Sequence, residues 1–386
     1  MVSDFQSLWS LDPAVTFLNH GSFGACPIAV LEFQAALRRE LELEPVDFLV
    51  TRLPARLDAA RAALATFIGA DPADLVFVPN ATTGVNAVLR SLPFAAGDEI
   101  LATSHTYAAS RKTLDFVAAR SGARVVVAAL PFPVQHESQI LEAVLSCVSS
   151  RTRLALLDHV TSPTALVLPV ASLITELRAR GVESLVDGAH APGMVPLAVA
   201  DLGAAYYTGN AHKWLCAPKG AAFLHVRRDR QPELHPTVIS HGYPSGFQKE
   251  FDWTGTFDPT AWLCIPECIR YLGGLLAGGW PELMATNRRL ALQARDLVLE
   301  CVGGPLPCPD TMIGSIASIP LPAAAPGSPA ARLDCEGLVG WFRERGVRTW
   351  LYAEPLPLLR VSAQLYNRLD HYRTLTRLLQ AALRGE

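Results

Sequence analysis

Two residues of this sequence, Lys213 and Asp187, combine a reactive type with surroundings that favour chemistry. Lys213 lies in AAYYTGNAHKWLCAPKG (Ala204–Gly220), where an apolar run stops at Thr208-Gly209-Asn210 and the lysine follows between His212 and Trp214. A lysine in such a turn, among aromatic and small residues, loses water, which disfavours its ammonium form and leaves a nucleophilic amine. Schiff-base chemistry needs an amine of this kind. The plainer alternative is an ordinary surface lysine, one of 33 lysines and arginines. Asp187 ends the apolar run of Leu185-Val186-Asp187-Gly188-Ala189-His190, and the carboxyl end of a strand is where open α/β sheets receive ligands. A lysine for an aldehyde carbon and an acid for a ring nitrogen are what pyridoxal phosphate asks of a protein. An isolated strand-end aspartate otherwise caps a helix or forms a turn.

Strands alternating with helices must position these groups. The predicted strands are Leu75–Val78, Glu99–Ala102, Arg124–Ala129, Arg153–Leu157 and Glu183–Val186. Between and before them, helical spacing marks Pro27–Leu43, Ala55–Ile68, Ile140–Val148 and Val170–Arg180. The alternation predicts an α/β fold with a mostly parallel sheet covered by helices on both faces. After Leu75–Val78, Asn80-Ala81-Thr82-Thr83-Gly84 opens a helix, and a small polar turn at a helix N-terminus presents free amides to a phosphate. Asn and Thr are also ordinary caps there. A long helix is predicted over Trp262–Leu276. Breaks at Gly273–Gly279 and Pro320–Pro329 set off a smaller C-terminal domain.

VDGAHAPG followed by TGNAHKWLCAPKGAAFL resembles the lysine region of the fold-type I pyridoxal phosphate enzymes of the aminotransferase class V superfamily. FLNHGSFGACP (17–27), NATTGVN (80–86), TSPTALVLP (161–169) and WTGTFD (253–258) resemble its isopenicillin N epimerase-like branch. The resemblance runs from about Phe17 to the C-terminus. It implies a large domain with a mostly parallel seven-stranded sheet flanked by helices and a smaller α+β C-terminal domain. The corresponding division is an N-terminal segment 1–26 reaching the active site, a cofactor-binding domain 27–258, and an interdomain helix with the small domain, 259–386.

The resemblance also implies roles. Lys213 would carry the cofactor and act as general base, Asp187 would meet the ring nitrogen, and Thr82 and Thr83 would hold the phosphate. Tyr107, or else His105, would stack on the ring, and His190 would donate to the cofactor's phenolic oxygen. Asn210 and His212 would contact the phosphate if they do not merely cap a turn, while Thr256 would reach the phosphate of a partner subunit in a homodimer. Asn19 and His20 are candidate substrate contacts, Arg360 is the clamp for a substrate carboxylate, and Ser162 is placed near the cofactor oxygen.

Composition removes other classes. A net charge of −3 with no Lys/Arg-rich block gives no footprint for nucleic acid or an anionic membrane. No basic arm or helix-turn-helix precedes residue 17. MVSDFQSLWSLDPAV lacks the basic start and apolar run of a signal peptide, and no later run is long enough to span a bilayer, so a cytoplasmic protein is expected. Eight dispersed cysteines fit reduced thiols. Cys264 and Cys268 could form half a metal site, but no second Cys/His pair follows, and core positions are the expectation. No metal is expected.

The expected substrate is an amino acid or a small molecule containing one. The resemblance favours epimerisation at an α-carbon, with C–S cleavage, as in ergothioneine-pathway or cysteine-sulfoxide lyases, as the alternative. Desulfurases of the superfamily use a loop cysteine about fifteen residues before the carboxylate arginine. Here Arg343–Leu359 has none, and Cys335 is 25 residues before Arg360. Aminotransfer and a non-catalytic, cofactor-binding role are the minor alternatives.

Overall fold

The computed structural model describes residues 5–384. Residues 1–4 lie outside it, so the reading of the chain's start and the first part of segment 1–26 fall partly beyond the described residues. Two long helices precede the sheet: α1 (Ile28–Leu43), entered from Pro27, and α2 (Leu53–Ile68), ended by Gly69 in the left-handed conformation at φ 64°. The alternating elements follow: β1 (Leu75–Val78), α3 (Ala81–Ser91), β2 (Glu99–Thr103), α4 (Ala108–Ser121), β3 (Arg124–Ala128), α5 (Glu137–Leu145), β4 (Thr152–Asp158), α6 (Val170–Ala179), β5 (Glu183–Asp187), β6 (Tyr206–Asn210) and β7 (Ala222–Val226).

These strands form one seven-stranded sheet in the order β1-β7-β6-β5-β4-β2-β3. Only β7 runs against its neighbours, pairing antiparallel with both β1 and β6. Successive residues of a strand face opposite sides, and both sides here are apolar. Leu185 belongs to one core cluster and Val186 to the other, as do Leu156 and Leu157. Full burial of each such side chain contributes about 1.5–3 kcal/mol. A sheet covered on both faces leaves its strand ends as the open places, and β2, β4, β5 and β6 all deliver their carboxyl ends to one crevice.

The segment predicted as one helix over Trp262–Leu276 is two, α7 (Thr260–Leu263) and α8 (Ile265–Gly273), because Pro266 has no N–H to continue a helix and instead stands in the first turn of a new one. Both pack against α1 and α2. Cys264 and Cys268 are buried in the main core. A 24-residue helix, α9 (Gly279–Val302), then leads to the smaller unit: β8 (Ile316–Pro320), α10 (Cys335–Glu344), β9 (Trp350–Tyr352), β10 (Leu358–Ser362) and α11 (Leu369–Arg384). Its sheet is antiparallel, in the order β9-β10-β8.

The N-terminal segment joins both units. Thr16 and Phe17 pair in parallel with Val347 and Arg348 of the small unit. A few residues on, Gly24 sits at φ 71°, so close to the lysine turn that a Cβ there would fall on the His212 carbonyl oxygen and crowd the Cα of Lys213. Only glycine fits such a contact.

Candidate active site

A cleft of about 450 Å³ opens at the carboxyl ends of β4, β5 and β6 and at the N-terminus of α3. Lys213 is held at its floor by the tight turn after β6, where the amides of Ala211 and His212 both donate to the Ala221 carbonyl. The Lys213 side chain lines the cleft. Desolvation, with the nearby Arg360 charge, pushes its pKa down to about 7, while Asp187 acts in the opposite sense. Its Nζ lies 3.1 Å from His190 Nε2. Burial and the charges of Lys213 and Arg360 keep that imidazole neutral, well below its ordinary range.

Asp187 ends β5 and is buried. Its Oδ2 accepts from the Ser110 hydroxyl at 3.0 Å and its Oδ1 from the Ala189 amide at 3.1 Å. Beside it on β4 is Asp158, whose Oδ1 accepts from the Tyr107 amide at 3.3 Å. Its Oδ2 is buried without a partner, and the residue lines the cleft. Burial pushes both carboxyls up, and the proximity of Asp187 pushes Asp158 further.

At the opposite end, Asn80 caps α3: its Oδ1 accepts the Thr83 amide at 2.9 Å and the Thr83 hydroxyl at 3.1 Å. The Ala81 amide goes to Asn210 Oδ1 at 2.8 Å. Thr82 lines the cleft wall, and among the described residues no acceptor is found for its amide. Helix α3 comes this close to β6 because Gly84 rests directly on Thr208. His212 lines the same end, its Nδ1–H donating to the Ala221 carbonyl at 3.0 Å, and burial pushes its pKa down to about 4.

The structure therefore brings Lys213, Asp187, His190, Asn210, His212, Thr82, Tyr107 and Ser162 to one cleft. Thr83 is engaged in the cap and is not part of the cleft lining. Tyr107 lines the cleft, whereas His105 is buried elsewhere with its Nδ1 3.0 Å from the Thr164 hydroxyl. Arg360 is buried just behind the wall, with Nη1 donating to the Ser162 carbonyl, the Ser162 hydroxyl and the Tyr352 hydroxyl, and Nη2 to Asn19 Oδ1 and the Ser22 hydroxyl. All five acceptors are uncharged, so the guanidinium keeps its charge for an anion. Its Nε has no partner.

One expectation needs correction. His20 does not face the cleft: it is fully buried, with Nε2 donating to the Lys213 carbonyl at 2.9 Å and Nδ1 accepting from the Tyr366 hydroxyl at 2.8 Å. The helical turn His20–Phe23 rotates the chain by about 100° per residue, so Ser22 and Phe23 reach the cleft instead. Thr256 is exposed and lines no part of this chain's own cleft.

Reading the sequence missed Ser110, Asp158 as a site residue, Tyr352, Ser22 and Phe23. Ser110 carried a signal: it lies three residues after Tyr107, at the start of α4 beside the strand ends.

The donor set fits pyridoxal phosphate. A free amide at a helix N-terminus suits a phosphate, a buried strand-end carboxylate suits a ring nitrogen, and an amine pushed down to about 7 lines the same cleft.

Comparison with known proteins agrees. A profile of the family described as aminotransferase class-V matches residues 47–263. An isopenicillin N epimerase of Streptomyces clavuligerus is 37% identical over 394 residues, covering 97% of this chain and 96% of its own. A putative L-cysteine desulfhydrase of Oryza sativa is 36% identical, over 81% of this chain and 68% of its own. Among solved structures, a cystine C-S lyase bound to cysteine persulfide superposes with a TM-score of 0.78 at 22% identity, covering 95% of this chain and 97% of that one.

Proposed function

The chain belongs to the aminotransferase class-V family of pyridoxal phosphate enzymes, and on that premise we propose that it epimerises an amino-acid-containing small molecule at the α-carbon. Bound pyridoxal phosphate supplies a ring that stabilises negative charge on that carbon. The chain's own residues do the rest. Asp187 holds the ring nitrogen, and the α3 N-terminus with Thr82, Asn210 and His212 holds the phosphate. Tyr107 flanks the ring, and His190 donates to its oxygen. Arg360, whose contacts within the chain are all neutral, takes the substrate carboxylate through a bidentate guanidinium. Lys213 Nζ, freed by substrate, would take the α-proton from one face of the carbon, and epimerisation requires that a proton be delivered to the other face.

The observation that carries this reading is the gathering of Lys213, Asp187 and the α3 N-terminus in one cleft, with the Lys213 Nζ 3.1 Å from His190 Nε2; burial pushes that amine down to about 7, which suits proton transfer near neutrality. The near-complete mutual coverage with isopenicillin N epimerases supports the reaction type. Thr256, exposed and outside its own cleft, supports a homodimer in which it completes the partner's phosphate site. Among the described residues no helix is long and apolar enough to cross a membrane.

The test is incubation of the cofactor-loaded protein with isopenicillin N in deuterated buffer. Inverted product carrying one solvent deuterium supports the reading; unexchanged, uninverted substrate overturns it. The second reading, C–S cleavage, is favoured by the desulfhydrase relatives, and predicts sulfide from L-cysteine in the same assay.

A further inference from the structure

Trp214 follows the lysine directly. Its indole is fully buried, packed with Val160, Ala165, Met194 and Ile316, and the His20 ring lies 4.8 Å away. An indole nitrogen can only donate, and when buried it needs an acceptor. Here that acceptor is His190 Nδ1, at 3.3 Å. A nitrogen that accepts from an N–H carries no hydrogen of its own, so a neutral His190 bears its hydrogen on Nε2. Nε2 is the atom 3.1 Å from Lys213 Nζ.

An N–H facing an amine has an acceptor only while the amine keeps its lone pair. An ammonium would set hydrogen against hydrogen. We propose that Trp214 is a positioning residue that locks His190 as a hydrogen-bond donor toward Lys213, and that this lock selects the uncharged, nucleophilic amine. The inference rests on the reading of Lys213 as the reactive lysine. It assigns the selection to a tautomer held by the next residue in the chain, in addition to loss of water. The other form of His190, the imidazolium, would put a second N–H against the indole. The groups bearing on it, Lys213, Arg360, His20 and His212, are cationic or held neutral and offer it no compensation. The lock also sets what can replace Nζ in this hydrogen bond once the lysine is engaged, namely a ligand atom that accepts, such as a ring oxygen, and not one that donates.

The experiment uses cofactor-free full-length protein with 15N-labelled histidine, the His190 signals being identified by their loss in His190→Gln. The expected spectrum near neutral pH shows Nδ1 unprotonated and Nε2 protonated; the opposite tautomer overturns the proposal without any variant having to fold. The pH profile of Lys213 modification by an amine-directed reagent is then followed in the wild type, Trp214→Phe, His190→Gln and the double variant. Releasing the imidazole lets it accept from an ammonium, so Trp214→Phe should raise the Lys213 midpoint by about one pH unit, a tenfold loss of free amine. In the His190→Gln background the same substitution should leave the midpoint unmoved. An equal shift in both backgrounds would mean that Trp214 acts by packing alone and overturns the proposal. Binding of pyridoxal phosphate, measured separately on the same proteins, tests the underlying reading independently.

Discussion

Asp158 and Asp187 are register partners at the ends of neighbouring parallel strands, two buried carboxyls side by side. Two such groups cannot both ionise. Asp187 has a hydroxyl donor, an amide donor and Lys213 to favour its charge, whereas Asp158 keeps a buried oxygen without a partner. Asp158 is therefore the protonated member. An acid held above its ordinary value of 3.8 lends stability that is complete below that value and is lost as pH rises toward the folded-state value. Asp158→Asn, which keeps shape and removes titration, should gain on the wild type in urea unfolding as pH rises from about 4 upward. A stability difference that does not change with pH contradicts the assignment.

Lys213 titrates in the opposite sense. With its pKa pushed down to about 7 from 10.5, the folded state holds its proton less tightly than the unfolded chain, so this lysine's penalty on stability is full below pH 7 and is relieved between 7 and 10.5. Lys213→Met should be more stable than the wild type at pH 6, with the advantage shrinking toward pH 10. The same variant should lose the visible absorbance of bound cofactor, and a variant that keeps it would remove Lys213 from the site.

Arg360 donates to five neutral acceptors, and its charge stays uncompensated. Arg360→Lys keeps the charge but loses the planar fork. The Michaelis constant for a carboxylate substrate should rise on the order of ten- to a hundredfold, the loss of one charge-assisted hydrogen bond of about 1.5–3 kcal/mol. Substrate amidated at that carboxylate should discriminate poorly between the two proteins. Equal loss with both substrates would show that the arginine serves the wall and not the ligand.

Gly84 is where α3 touches β6. A methyl group there runs into the Thr208 side chain, whose hydroxyl donates to the Phe223 carbonyl at 2.8 Å. Gly84→Ala should cost about 1–3 kcal/mol in denaturant unfolding, as overpacking does. It should also weaken phosphate binding by tilting the Thr82 amide from the cleft. Thr208→Ala in the same protein should restore part of both.

Much of this was legible in the sequence because the parallel strands are short apolar runs bounded by polar or glycine turns, and the strand ends carry the chemistry. Asp187, Lys213 and the capped start of α3 announce themselves through local pattern. What escaped depends on through-space geometry or on a single residue's orientation. His20 and Ser22 share one motif, and only the pitch of a helical turn decides which of them meets the cleft. Tyr352 reaches Arg360 through a hairpin register, β9 against β10, that no local pattern specifies. The break in the helix expected over Trp262–Leu276 falls at Pro266, a residue that cannot continue a helix but can open one.

The pairing of Thr16–Phe17 with Val347–Arg348 makes this N-terminal stretch an appendage of the small unit. Ser22 and Phe23 at the cleft wall are thus tethered to the small unit, while Gly24 is wedged against the turn that holds Lys213. The strap from Phe17 to Ser22 thus joins the two units across the site, with Leu18 and His20 fully buried along it.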